Sequence, residues 1–138
     1  MSEATGQNTL DLSLTNVSPS PCVLDGYPVV ALLDARGRLL PFHYVDGGDE
    51  MTTSAAPLPV YLPPGATAWA RMNKYRCDIG STVFAHAVVF RLPDGGGRLT
   101  MLRTVYPVYD YCDEMASIAV NVSPFEPVED YLYPSWAK

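Results

Sequence analysis

Few side chains in this chain could do chemistry, and their spacing decides what that chemistry would be. Three cysteines stand at positions 22, 77 and 112. The long gaps between them hold no Cys-x-x-Cys or His-x-x-His element, so a zinc or iron–sulfur site has no sequence support. Cys22 lies between Pro21 and Val23 with no base or cation beside it to activate it as a nucleophile. Asp46, Asp49 and Glu50 fall in the run Val-Asp-Gly-Gly-Asp-Glu, where hard oxygen ligands on a glycine-flexible loop suggest a calcium site. Three carboxylates are short of the about six to eight oxygens calcium takes, so this candidate loop reads as a solvated acidic segment. Asp110, Asp113 and Glu114 around Cys112 read the same way.

His86 shares an alternating apolar face with Phe84, Val88 and Phe90 and reads as a hydrogen-bonded core or half-buried histidine, whereas His43 beside Tyr44 reads as exposed. No Gly-x-Ser-x-Gly elbow is present, and Gly95-Gly96-Gly97 precedes neither a helix nor a lysine, so it reads as a turn and not a phosphate cradle. The expectation is a non-enzymatic chain without a metal or cofactor. Tyrosine is the compositional oddity, with nine in the chain. Five of them, Tyr106, Tyr109, Tyr111, Tyr131 and Tyr133, fall late in the sequence, where Trp136 joins them. Tyr109, Tyr111, Tyr131, Tyr133 and Trp136 form the candidate binding surface, because rigid rings with a polar tip suit sugars or protein partners. Packing at the bottom of the fold and anchoring of the tail is the competing reading. Trp69, alternating with Ala68 and Ala70, reads as a central core tryptophan.

The elements that must position these residues follow from composition and period. A chain of 138 residues, 48% hydrophobic and 17% charged, is one ordered domain. Its net charge of −6 and pI near 4.6 exclude nucleic acid and anionic lipid as partners on electrostatic grounds. No apolar run approaches the about 18 residues of a membrane-spanning helix. Met1 to Leu10 lack the basic start and apolar centre of a signal peptide, which fits either a cytosolic protein or an exported domain; the linker-like Ser2 to Gln7 favour the exported reading.

Residues 1–8 are expected to form a disordered leader, 9–125 a β-sandwich domain, and 126–138 an extended tail that packs on the sandwich or trails from it. Within the domain, Leu10, Leu12 and Leu14 alternate with Asp11, Ser13 and Thr15, which is the period of a half-buried strand. Asn16 to Pro21 is a turn; Val29 to Leu33 is an apolar strand; Asp34-Ala35-Arg36-Gly37 is a tight turn that should return Arg38 to Phe42 as its antiparallel neighbour. Residues 43–57 read as a long irregular loop, Leu58 to Leu62 as a proline-guarded edge strand, and Thr67 to Tyr75 as a strand. Thr82 to Leu92 reads as one strand, followed by a glycine hairpin into Arg98 to Tyr106, a polar link, and a last strand at Ser117 to Val122. About seven to eight short strands with regular turns and no helical window predict an all-β, antiparallel β-sandwich, with a small barrel as the alternative.

The segments Leu14-Thr15-Asn16-Val17-Ser18, Pro21 to Pro28 and Leu32 to Gly37, then Leu62 to Ala70, Cys77, Cys112 and Val120 to Phe125, follow in order the pattern of an actinobacterial family. The chain resembles the domain of unknown function 4232 over roughly residues 10–125. The resemblance implies an immunoglobulin-like sandwich, exported or lipid-anchored outside the cell, with no assigned activity. It also implies a disulfide between Cys77 and Cys112. It further implies an additional N-terminal strand whose cysteine would partner Cys22; no cysteine precedes Cys22 here, so the expectation is a free thiol and a first sheet lacking an edge strand. Taken together, the expected role is an interaction module of the cell envelope that meets a protein partner or, alternatively, acts as a carbohydrate-binding module through the late aromatic cluster.

Overall fold

The alternating leucines near the N-terminus form part of the longest pairing in the molecule, as seen in a computed structural model that describes residues 2–4, 6–78, 83–92, 100–103 and 108–137. In chain order the elements are β1 (Ser2–Ala4), β2 (Gln7–Thr15), β3 (Cys22–Leu24), β4 (Val29–Leu33), β5 (His43–Asp46) and β6 (Val60–Leu62). They continue with β7 (Thr67–Tyr75), β8 (Val83–Phe84), β9 (Ala87–Arg91), β10 (Thr100–Arg103), β11 (Asp110–Tyr111), the single turn α1 (Met115–Ile118) and β12 (Ala119–Val122). Two 3₁₀ turns, Glu129–Leu132 and Ser135–Ala137, follow. The described chain is mostly β, with short strands and no helix beyond that single turn.

β2 and β7 pair antiparallel along their whole length, from Gln7 opposite Tyr75 to Thr15 opposite Thr67. They are the centre of a five-stranded sheet ordered β1-β2-β7-β12-β5. A second sheet, β10-β9-β4, has three strands, and the pairs β11-β8 and β3-β6 stand apart. Leu12, Met72, Val120 and Val122 of the large sheet meet Val30, Leu32, Val88 and Phe90 of the three-stranded sheet in one buried core. Each fully buried Leu or Val there contributes about 1.5–3 kcal/mol. Truncating Leu32, which is wholly buried, removes about 2–5 kcal/mol.

Several expectations are corrected by this arrangement. The segment expected to be a disordered leader carries β1 and the start of β2, and Asn8 is buried, so the large sheet has its edge strand. Arg38 to Phe42 does not return as a strand. The turn closes, with Gly37 at φ 79° and its N–H bonded to the Asp34 carbonyl, but only Leu39 bridges back, to Leu33. Pro41 has no N–H for a ladder, and Leu40 and Phe42 turn into the core instead. The loop expected over 43–57 begins with β5, which pairs in parallel with β12, His43 opposite Ala119 and Asp46 opposite Val122. The large sheet is therefore mixed and not purely antiparallel.

The single strand expected from Thr82 to Leu92 changes partners midway. β8 pairs with β11, whereas β9 pairs with β4 and β10, and Ala85 and His86 between them bond to Tyr109 and Leu33. His86 is accordingly half-buried at this crossing and not on a continuous strand face. Trp69 is on the opposite side of β7 from the fully buried Ala68 and Ala70 and is only half-buried, so it is not the core tryptophan. The glycine hairpin at 95–97 and Tyr106 lie outside the described residues. β6 covers only Val60–Leu62 of the expected Leu58 to Leu62 and, among the described residues, pairs with β3 alone. Among the described residues no helix is long and apolar enough to cross a membrane.

Candidate functional site

Strand alternation places Met72 and Lys74 of β7 on the core side and Arg71 and Asn73 on the outer side. An outer face of an antiparallel sheet is normally wet. Here Arg71 is only 3% exposed and Asn73 is fully buried, so something covers them. The cover has two pieces: the loop that follows β5 and the segment after β12.

Arg71 joins both pieces to the sheet. Its Nε and Nη2 donate to the two carboxylate oxygens of Asp11 at 2.7 and 3.1 Å, its register partner on β2. Its Nη1 donates to the Met51 carbonyl at 2.9 Å, and the Tyr133 ring lies over its Cζ at 4.1 Å. Burial would lower the Arg71 pKa, but the hydrogen bonds to Asp11 outweigh it and hold the guanidinium charged. Asn73 donates to Gln7 Oε1 at 2.9 Å and to Asp49 Oδ2 at 2.7 Å, while Asp49 Oδ1 accepts from the Met51 N–H. The loop is folded so tightly that a Cβ on Gly48 would lie 2.5 Å from the Thr52 carbonyl oxygen, which only glycine permits. Trp136 Nε1 donates to the Glu50 carbonyl at 3.0 Å, and the Thr53 N–H donates to the Leu132 carbonyl at 2.8 Å. Leu132 itself is fully buried.

Two regions singled out from sequence are thus brought together. Glu50 of the acidic loop meets Trp136 of the tail, Asp49 reaches Asn73 on the sheet, and Tyr133 covers Arg71, while Asp46, at the end of β5, is exposed. Tyr131, Tyr133 and Trp136 stay 49%, 40% and 70% exposed. Asp130, Tyr131, Tyr133 and Ala137 line a groove of about 570 Å³. A smaller cavity of about 180 Å³ is lined by Gln7, Asp49, Glu50, Lys74, Tyr75, Ala119 and Asn121, where β12 parts from β7.

Tyr109 and Tyr111 do not join this face. Tyr109 is fully buried in the core, and Tyr111 packs edge-on against Phe42 with ring centroids 5.2 Å apart. Burial pushes the Tyr109 hydroxyl well above the ordinary tyrosine value, and the charges of Asp49 and Asp11 add to it. Its hydroxyl has no hydrogen-bond partner among the described residues, nor have Asn8 Oδ1, Thr52 Oγ1 and Asn73 Oδ1. The five aromatic residues named from sequence therefore divide into two in the core and three on the surface.

The other end of β7 holds the disulfide. Cys77 and Cys112 are bonded, their Cα atoms 6.2 Å apart. Beside them the Lys74 ammonium lies 2.7 Å from Asp110 Oδ1 and 2.6 Å from the Tyr75 carbonyl oxygen, and Asp110 Oδ2 accepts the Cys77 N–H at 2.9 Å. Burial pushes Lys74 down from the ordinary lysine value, against the pull of Asp110. Burial alone would raise Asp110, but the Lys74 and Cys77 donors more than offset it and hold the carboxyl below its usual value. Glu114 accepts the Asp78 N–H, and Asp113 accepts from the Tyr111 hydroxyl. Cys22 is a free, exposed thiol on β3.

Asp11 binds the Arg71 guanidinium through both carboxylate oxygens and also shares a hydrogen bond with the Glu129 carboxyl. Among the described residues no three His, Cys, Asp or Glu side chains are arranged to hold a metal ion. Sequence reasoning missed Arg71, Asp11, Asn73 and Gln7, because polar residues on alternate strand positions look solvated until the cover is known. Their one available signal was register: pairing Leu12 with Ala70 sets Asp11 directly opposite Arg71.

Searches of the curated proteins and of the solved structures each return no match to this chain. One family profile does match, covering residues 1–124 and thus all the strands, the disulfide and the acidic loop. The chain belongs to that family, described as a domain of unknown function (DUF4232).

Proposed function

We propose that this chain is a non-enzymatic, exported interaction module of an actinobacterial cell envelope, built as an immunoglobulin-like β-sandwich and binding its partner through the tail and acidic loop. The observation that carries the reading is the set of exposed rings, Tyr131, Tyr133 and Trp136, held along one cover beside a groove of about 570 Å³. Large exposed aromatics anchored by Arg71 and by the Glu50 carbonyl lose little conformational freedom on binding. The shared core of the five- and three-stranded sheets supports the sandwich. The Cys77–Cys112 bond supports an oxidising compartment, since cytosolic reductants keep such thiols open.

A carbohydrate ligand is the second reading. It is favoured by the placement of the Asp130 carboxylate, an acceptor for sugar hydroxyls, among the tyrosines. Trp136 fluorescence gives the test. Titration with envelope oligosaccharides and with short peptides of differing charge should change Trp136 emission for one of the two classes, and Trp136→Phe should abolish the signal while Tyr131→Leu weakens it. If neither class perturbs the tail, the binding-face reading is wrong.

A further inference from the structure

The chemistry of the groove narrows its ligand, on the premise that the tail is the binding face. Its described lining residues are two tyrosines, one aspartate and one alanine: Tyr131, Tyr133, Asp130 and Ala137. A second acid, Glu129, precedes Asp130 in the same 3₁₀ turn, and Trp136 ties in the backbone of Glu50. The whole chain carries a net charge of −6, so a cation is drawn toward it and an anion is repelled.

The structure also contains an internal example of what such a ring accepts. The Arg71 guanidinium lies over Tyr133 at 4.1 Å while Asp11 binds its edge through two hydrogen bonds. This is a guanidinium held by a ring on its face and a carboxylate on its edge, the geometry that planar arginine meets best. The groove is lined by the same two residue types, Tyr131 and Asp130. Because Asp11 balances the charge of Arg71, the shared Tyr133 ring can meet a second cation without unscreened repulsion from the first.

We propose that the groove binds an arginine side chain of a basic segment on a partner protein, with Tyr131 and Tyr133 against the guanidinium plane and Asp130 accepting from its edge. The volume of about 570 Å³ exceeds one side chain, so residues flanking the arginine enter as well.

The test is calorimetric titration of the full chain with a blocked tetra-arginine peptide, its tetra-citrulline counterpart and a chito-oligosaccharide. Citrulline keeps the shape and removes the charge. The arginine peptide should bind at least about tenfold more tightly than the citrulline peptide. Asp130→Asn and Tyr131→Leu should each weaken arginine binding by about fivefold with an unchanged melting temperature. Asp25→Asn, an exposed acid on the β3–β4 corner, should leave it unaltered. Equal affinity for the two peptides overturns the proposal, as does equal weakening by Asp25→Asn and Asp130→Asn, which would mean diffuse charge attraction. Oligosaccharide binding that is lost in Tyr131→Leu, with no arginine preference, overturns this ligand but keeps the binding face. Silence from all three probes overturns both.

Discussion

Two buried cations on one strand, three residues apart, have been given opposite settings. Lys74 and Arg71 lie on opposite faces of β7, each paired with an aspartate and each near a tyrosine ring, Tyr109 at 5.9 Å and Tyr133 at 4.1 Å. The Lys74 site is closed by core packing and by a covalent bond between Cys77 and Cys112. The Arg71 site is closed by a loop and a tail that themselves present exposed rings to solvent. The same parts thus make a permanent joint on one face and an adaptable cover on the other. The difference lies in what closes each site, a covalent bond and core packing on one face and non-covalent contacts on the other.

The largest expected effect tests the permanent joint. Opening the disulfide frees a loop of 35 residues and should cost about 3.8 kcal/mol in the chain-entropy treatment. Intact mass should rise by about two mass units on reduction. Amide exchange should quicken at Cys77 and stay slow at Thr53, whose N–H bonds Leu132; equal quickening at both would erase the contrast between the faces. Asp110→Asn comes next, since it leaves the Lys74 ammonium buried without its counter-charge. A loss of about 3 kcal/mol is expected, or roughly 10 °C in melting temperature by calorimetry.

Tyr133→Leu should cost only about 1 kcal/mol, and the exchange pattern should invert, with Thr53 quickening and Cys77 unchanged. The smallest effect is one of pH. The hydrogen bond to Asp11 pushes the Glu129 carboxyl above the ordinary glutamate value, burial adds to this, and Arg71 opposes it. A folded value above the unfolded one means that the folded chain holds this proton more tightly. The contribution is therefore present in acid and lost as pH rises through the folded value. Glu129→Gln should match the parent near pH 4 and melt slightly above it at pH 7; a variant that melts lower at pH 7 would show the carboxylate to be favourable there.

The sequence carried the local grammar well. Leucine alternation located β2, the span Thr67 to Tyr75 is β7 residue for residue, and Asp34 to Gly37 closes as a turn. The pairing of Cys77 with Cys112 came with the family pattern and is present. What could not be read depends on contacts between distant segments. β5 hides in a glycine-rich acidic loop because its partner, β12, lies more than seventy residues away and the pairing is parallel. Trp69 reads as inward from sequence because strand period gives two faces without saying which is inward. The tyrosine cluster was legible as a composition but not as a surface. Tyr109 and Tyr111 precede α1 and point inward, whereas Tyr131 and Tyr133 follow β12 and ride on the cover.

The order of the elements along the chain has a consequence for synthesis from the N-terminus. β2 and β7 can pair once residue 75 has left the ribosome, yet β12, Leu132 and Tyr133 have not been made. Until they arrive, Arg71 and Asn73 face water, and the large sheet offers β7 as an unpaired edge. The last segment to emerge both completes the sheet and shields it, so chains stalled near residue 115 should be the most prone to associate through that edge.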